Sequence, residues 1–126
     1  MASSGPNKAF AARAAAILTT SEVAATALDL NVAYASRVTV DLRFTLGSLT
    51  NATVRFYASV DGTTWIPLNT GAGALTETLT ADATRCYALP SLAGWKFFRA
   101  SIQGSGTVTS SSATITYRYL QQGSQR

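Results

Sequence analysis

Residues Val54 to Leu68 read VRFYASVDGTTWIPL, and how this stretch is parsed decides the fold. Its first half alternates: from Thr53 to Val60, Val54, Phe56, Ala58 and Val60 fall on one side and Arg55, Tyr57 and Ser59 on the other, the period of a half-buried strand. Asp61-Gly62 breaks the alternation, and Trp65 opens a second short strand over residues 65–68. Asp-Gly is a strong hairpin signal, because glycine accepts positive φ and an aspartate side chain accepts hydrogen bonds from nearby backbone N–H groups. Asp61 is therefore read as a turn residue and not as a catalytic acid. A Ca²⁺ role would need further oxygen ligands, and no second acid stands near it in sequence.

The same period extends outward from this hairpin. Arg37 to Leu46, RVTVDLRFTL, places Val38, Val40, Leu42, Phe44 and Leu46 on one face and Arg37, Thr39, Asp41, Arg43 and Thr45 on the other. Residues 47–52 read as turn. Further short strands are expected at 27–32, 75–79, 85–89, 96–103 and 113–120, separated by turn material at 70–73, 80–83, 90–94 and 104–106. Many short strands with no helical pattern between them predict an all-β antiparallel sandwich, jelly-roll or immunoglobulin-like, of about seven or eight strands. Spacing leaves the strand order open.

The first 26 residues are of another kind, dominated by Ala, Ser and Thr. Over Lys8 to Leu18, the residues Phe10, Ala14, Ile17 and Leu18 would share one face of a short helix. An extended arm ordered against a neighbour competes with that, because so alanine-rich a segment buries little area for the entropy it loses. A first strand of the sandwich is the third reading. The expected organisation is an N-terminal arm over 1–26, the sandwich over 27–120 and a polar tail over 121–126.

Composition bounds the chemistry. A chain of 126 residues is one domain's worth, enough to bury roughly two-thirds of its unfolded surface. Charged residues are only 13%, so the surface must be covered by uncharged polar residues or by a partner. The longest apolar run, Ala14 to Leu18, is far below the roughly 20 residues that a membrane helix needs, and the N-terminus lacks the leucine-rich core of a secretory signal. Cys86 is the single cysteine; no intrachain disulfide can form, and Cys86 is expected to be a buried, inert thiol.

The chain has no histidine, which removes the commonest general base and metal ligand. Its six acids are Glu22, Asp29, Asp41, Asp61, Glu77 and Asp82. A glycosidase needs two carboxylates facing across a cleft, whereas these fall on outward strand rows or in turns. The glycine pairs Gly71/Gly73 and Gly104/Gly106 lack the helix and lysine of a phosphate-binding loop. No catalytic, cofactor-binding or metal-binding residue is expected. The net charge of +4 is scattered with no run of even three basic residues, which suits an acidic protein surface as well as phosphate and makes nucleic acid a poor fit.

The stretch from Val54 to Leu68, with its strand, Ser-x-Asp-Gly-x-x-Trp and second strand, resembles a signature of small β-sandwich structural proteins of tailed bacteriophages. Ala27-Leu-Asp-Leu30, Arg37 to Leu42 and Trp95 to Ile102 fit the same pattern, so the resemblance spans about residues 27 to 120. Similar strand-turn-strand signatures occur in carbohydrate-binding and adhesion sandwiches. In the phage pattern, Asp61 and Gly62 make the hairpin and Trp65 packs on the sandwich. The resemblance implies a non-enzymatic virion component assembled in the host cytoplasm: a capsid decoration, or cement, protein that binds the major capsid protein as a homo-oligomer such as a trimer. Neck, tail and head-fibre roles are alternatives within the particle. Candidate partner contacts are Phe10, Ile17 and Leu18 as docking anchors, with Lys8 and Arg13 pairing with acids of the shell. Trp95 and Phe97 are the candidate aromatic surface for the carbohydrate-binding alternative, set near Tyr57 or Tyr87.

Overall fold

The computed structural model describes residues 7–33, 37–70 and 73–120. Within them lie twelve β segments, several only two residues long, and one helical turn. In chain order the segments are β1 (Asn7–Ala16), β2 (Val23–Ala24), β3 (Leu28–Asp29), α1 (Leu30–Ala33), β4 (Thr39–Thr45), β5 (Leu49–Ser59) and β6 (Ile66–Pro67). They continue with β7 (Asn69–Thr70), β8 (Gly73–Ala74), β9 (Thr76–Leu79), β10 (Ala83–Ala88), β11 (Phe97–Gly106) and β12 (Ser112–Leu120). One sheet has the order β1-β12-β4-β10. The other has the order β2-β11-β5-β6, with β3 also pairing β11 and β9 pairing β5; β7 and β8 form a small ribbon. All the pairings are antiparallel, and the two sheets face each other as a sandwich.

The alternation read in the sequence is what builds this core. Val40, Leu42 and Phe44 of β4, with Ala113, Ile115 and Tyr117 of β12, turn inward from the first sheet. Val54, Phe56 and Ala58 of β5, with Phe98, Ala100 and Ile102 of β11, meet them from the second. Five rings form a continuous spine. Phe10 stacks on Tyr117 with centroids 5.9 Å apart, Tyr117 meets Phe98 edge-on at 5.1 Å, Phe98 stacks on Phe56 at 6.4 Å, and Phe56 meets Tyr87 edge-on at 5.1 Å. Tyr117 also ties the sheets together by a polar contact, its hydroxyl oxygen accepting from the Ala100 backbone N–H at 2.9 Å.

Burial pushes the Tyr117 phenol well above the ordinary tyrosine range, with the Ala100 hydrogen bond and the charge of Arg99 opposing it only in part. The folded state therefore keeps a proton that the unfolded state gives up near about pH 10. Stability should be unaffected by this group below that pH and should fall above it by about 1.4 kcal/mol per pH unit. A urea midpoint followed from about pH 7 to about pH 11 should hold and then decline; a midpoint unchanged at the alkaline end would contradict the buried placement of this ring.

Several expectations need correction. Residues 7–16 are neither a helix nor a free arm: they form the edge strand β1, paired along β12 from Asn7↔Leu120 to Ala16↔Ala113 with two bulges. Edge pairing gives the alanine-rich backbone hydrogen-bond partners that its side chains could not supply. Residues 17–22 then cross to the second sheet, and the Leu18 side chain closes the core. Residues 27–32 yield only a short strand before the α1 turn, where the Asp29 carboxylate accepts from the Asn31 N–H at 3.0 Å. The turn read at 47–52 is confined to Gly47 and Ser48, and β5 already starts at Leu49. Cys86 is exposed, not buried, because its partner in the ladder is Asp41 on the outward row; Tyr87 is the residue of that strand that turns toward Phe56. The tail at 121–126 lies outside the described residues.

Candidate functional site

The Asp61 hairpin is a self-contained turn. Its Oδ1 accepts from the N–H of Thr63 at 2.8 Å, from the N–H of Thr64 at 2.9 Å and from the Ser59 hydroxyl at 3.0 Å. Those backbone donors hold the Asp61 carboxyl below its ordinary range. The Ser59 Oγ in turn accepts from the N–H of Gly62 at 2.8 Å, which ends the alternation one residue early and leaves Val60 60% exposed rather than inward. Gly62 has φ +81°, and a Cβ there would stand 3.2 Å from the Phe97 ring. Gly62→Ala should cost roughly 1–2 kcal/mol by the left-handed backbone conformation alone, whereas Asp61→Asn, which keeps the acceptor oxygen, should melt close to the parent. Equal melting of the parent and Gly62→Ala would contradict this turn.

The residues flanking the hairpin assemble the richest polar surface of the described structure, on the outer face of the second sheet. The ladder aligns Arg99 of β11 with Tyr57 of β5, and Tyr57 with Pro67 of β6, so the approach to β6 brings Trp65 into the same row. The Arg99 guanidinium carbon lies 4.1 Å from the Trp65 ring centroid and 6.0 Å from that of Tyr57. Next along β11, Phe97 carries Lys96 Nζ 5.6 Å from its centroid. Two residue pairs beyond Arg99 on the ladder, and so on the same face, Ser101 is paired with Arg55.

Glu22, just before β2, reaches over this row. Its carboxylate accepts from the Tyr57 hydroxyl at 2.6 Å and from the Ser101 hydroxyl, and pairs with Arg55 Nη1 at 3.7 Å. Arg55 also donates to the Gln103 side-chain oxygen at 3.1 Å, and Gln103 donates to the Thr20 carbonyl at 2.9 Å. Burial works to raise the Glu22 carboxyl, but the Ser101 and Tyr57 hydroxyls and the charges of Arg55 and Arg99 outweigh it, leaving it below the usual carboxylate range. Tyr57 moves the other way, pushed up by burial and then by its bond to Glu22 and that group's negative charge. Glu22 is thereby held ionised as a structural clamp between the crossing segment and the sheet.

The outer face of the first sheet is plainer. Asp41, its side chain 15% exposed, sits between Arg43 at 3.5 Å and Arg118 at 3.1 Å, with Thr116 as its ladder partner and Thr39 and Thr114 on the same face. Glu77 accepts from the Tyr87 hydroxyl at 2.5 Å and from Arg85 Nε at 3.3 Å, tying the edge of one sheet to the other. Among the described residues no group of three or more His, Cys, Asp or Glu could hold a metal ion, and no helix is long and apolar enough to cross a membrane.

The residues singled out in the sequence are dispersed by the fold. Lys8 is exposed on β1, and Ile17 is 52% exposed beyond its end. Phe10 is half-buried against Tyr117 and so is spent on the core. Arg13 donates to the carbonyls of Ala113, Ala16 and Ile17, stapling the irregular end of β1 instead of reaching outward. Leu18 is fully buried and cannot anchor a partner. Trp95 packs against the core at the sandwich edge, apart from Phe97, which lies on the outer face. The aromatic surface is thus Phe97 with Tyr57 and Trp65, of which Trp65 and Tyr57 flank Arg99. Sequence reasoning missed Arg99 and Glu22; the outward parity of Arg55, Tyr57, Phe97 and Arg99 was the available signal, but the ladder register that joins them was not.

No protein-family model and no curated protein sequence matches the chain. Among solved structures it is similar to the crystal structure of the SPBc2 prophage-derived protein YomS, with a TM-score of 0.57 and 17% sequence identity over 91% of this chain and 93% of that one. At that identity the likeness speaks for the fold, and the antiparallel β-sandwich is shared over nearly the full length of both chains.

Proposed function

We propose that the chain is a non-enzymatic structural component of a tailed-phage particle, a decoration protein that binds and stabilises the head shell. The observation that carries this reading is the sandwich shared with a prophage-derived protein across almost the whole chain. The phage-type Ser-x-Asp-Gly-x-x-Trp motif supports it, because its polar atoms are consumed in building the hairpin. Stabilisation works by mass action: copies that bind the assembled shell and not its separated subunits shift the equilibrium toward the shell, by about 2.7 kcal/mol per site at a concentration 100 times Kd. Association of the chain with itself, as a trimer or another ring, multiplies these contacts through effective concentration. Of the sequence-derived contacts, Lys8 and Ile17 remain presented for the major capsid protein at the open edge of the first sheet.

The test adds purified chain to heads that lack it and follows shell disruption by heat. Decoration predicts saturable binding over the shell and a higher disruption temperature. Binding confined to a vertex or to tails would move the chain to a neck, tail or head-fibre role. The half-buried Phe97, Tyr57 and Trp65 rings on the outer face favour a second reading, a carbohydrate-binding or adhesion module that stacks sugars on aromatic faces. Binding on a glycan array that is lost with Phe97→Ala, together with no binding to heads, would select it.

A further inference from the structure

We infer that the outer face of the second sheet holds a docking site for a carboxylate side chain of a partner protein, with the Arg99 guanidinium as its recognising group. This inference rests on the decoration reading for the identity of the partner, but not for the chemistry of the site.

Four observations carry it. Arg99 is held by rings: Trp65 at 4.1 Å and Tyr57 at 6.0 Å flank the guanidinium, its charge acts on Glu22 without a direct ion pair, and no hydrogen bond or ion pair joins it to any described residue. Its Nε is shut away from solvent without an acceptor, while the residue as a whole is half-buried. The rest of the charged fork has no hydrogen-bond acceptor among the described residues either, so an incoming acceptor can take its N–H groups. Third, the neighbouring cation is already engaged. Arg55 is committed to Glu22 and Gln103, and the Glu22 Oε2 already takes the Tyr57 and Ser101 hydroxyls, so Arg99 is the guanidinium of this cluster with donors to offer. Fourth, the surroundings are those of a binding hot spot: an arginine held against Trp65 and Tyr57, with Phe97 two residues before it on the same strand, on a chain of net charge +4.

The planar guanidinium fits a carboxylate through two parallel hydrogen bonds from its Nη groups, and stacking on Trp65 removes much of the rotamer freedom that binding would otherwise have to freeze. A nucleic acid is a poorer match. Phosphate tracks are read by rows of free cations, whereas on this face Arg55 is already paired with Glu22 and Gln103, which leaves Arg99 and Lys96 without a continuous row. A flat face edged by aromatic rings with one fixed fork suits a single Asp or Glu on a protein surface.

The test titrates the full-length chain with a hexaglutamate peptide, reading the Arg99 Nε–Hε and Trp65 indole resonances by ¹⁵N-correlated NMR, with a hexaglutamine peptide as control. The expected result is a saturable shift of both resonances with hexaglutamate alone. Arg99→Lys, which keeps the charge but loses the fork and the stacking, should weaken binding by about tenfold or more, whereas Lys96→Gln, which removes a neighbouring charge, should change it by less than about twofold. Equal losses in the two variants would reduce the effect to general electrostatics and overturn the site, as would the absence of any shift. Binding of an oligogalacturonate but not of hexaglutamate would overturn the protein partner. The two readings fail separately. Wild-type attachment of Arg99→Lys to heads would sink this site and leave decoration intact; Arg99-dependent peptide binding with no attachment of the parent to heads would do the reverse.

Discussion

Replacing Tyr117 by alanine is expected to remove about 3–5 kcal/mol of stability, a large share of the roughly 5–15 kcal/mol that a domain of this kind has in total. The ring is fully buried in the five-ring spine, where it touches Phe10 from its own sheet and Phe98 from the other. Truncation loses the transfer energy of the ring and leaves a cavity between two sheets that cannot both collapse into it. Tyr117→Phe isolates the polar part. It keeps the ring and strands the Ala100 N–H, which sits in the core with the Tyr117 oxygen as its acceptor, so it should cost about 1–3 kcal/mol. Urea unfolding of the three proteins decides the matter. A Tyr117→Phe variant as stable as the parent would mean that the inter-sheet hydrogen bond contributes nothing measurable.

The second large effect separates two adjacent residues that the sequence treats alike. Leu18→Ala should lose about 2–5 kcal/mol, because Leu18 is fully buried, while Ile17→Ala, with the side chain 52% exposed, should stay within about 0.5 kcal/mol. The backbone explains the difference. The Leu18 N–H donates to the buried Ser111 hydroxyl at 3.0 Å, which fixes this point of the crossing segment against the sandwich. Deleting residues 1–18 should therefore unfold the domain, and loss of head attachment after such a deletion would say nothing about docking. Ile17→Ala and Lys8→Ala are the variants that probe attachment without touching the core. Equal stability of Leu18→Ala and the parent would place this segment back outside the sandwich.

How much of this was legible in the sequence follows from where each signal resides. Strict alternation in Arg37 to Leu46 and Thr53 to Ala58 places inward and outward residues correctly, since a sheet with one buried face enforces the period of two. The same rule failed where a side chain competed for the backbone. At Val60 the Ser59 hydroxyl starts the turn early, and at Cys86 an edge strand has too few buried residues to fix its parity by composition. The N-terminal strand was one of three readings, because alanine satisfies helix, arm and edge strand alike, and only pairing with β12 distinguishes them. The Asp61 turn was readable because Asp-Gly acts locally. The Arg99 cluster was not, because it joins Tyr57 and Arg99 on two paired strands to Glu22 and Trp65 in the segments leading into β2 and β6, and no local rule provides that register.

Fold and site together make the placement of the chain on a phage particle the claim most worth testing. Quantitative mass spectrometry of purified particles, giving copies of this chain relative to the major shell protein, tests it most directly. Decoration predicts a ratio of the same order as the shell protein itself. A ratio far below that would place the chain at a neck, tail or single vertex, and its absence from particles would contradict the account.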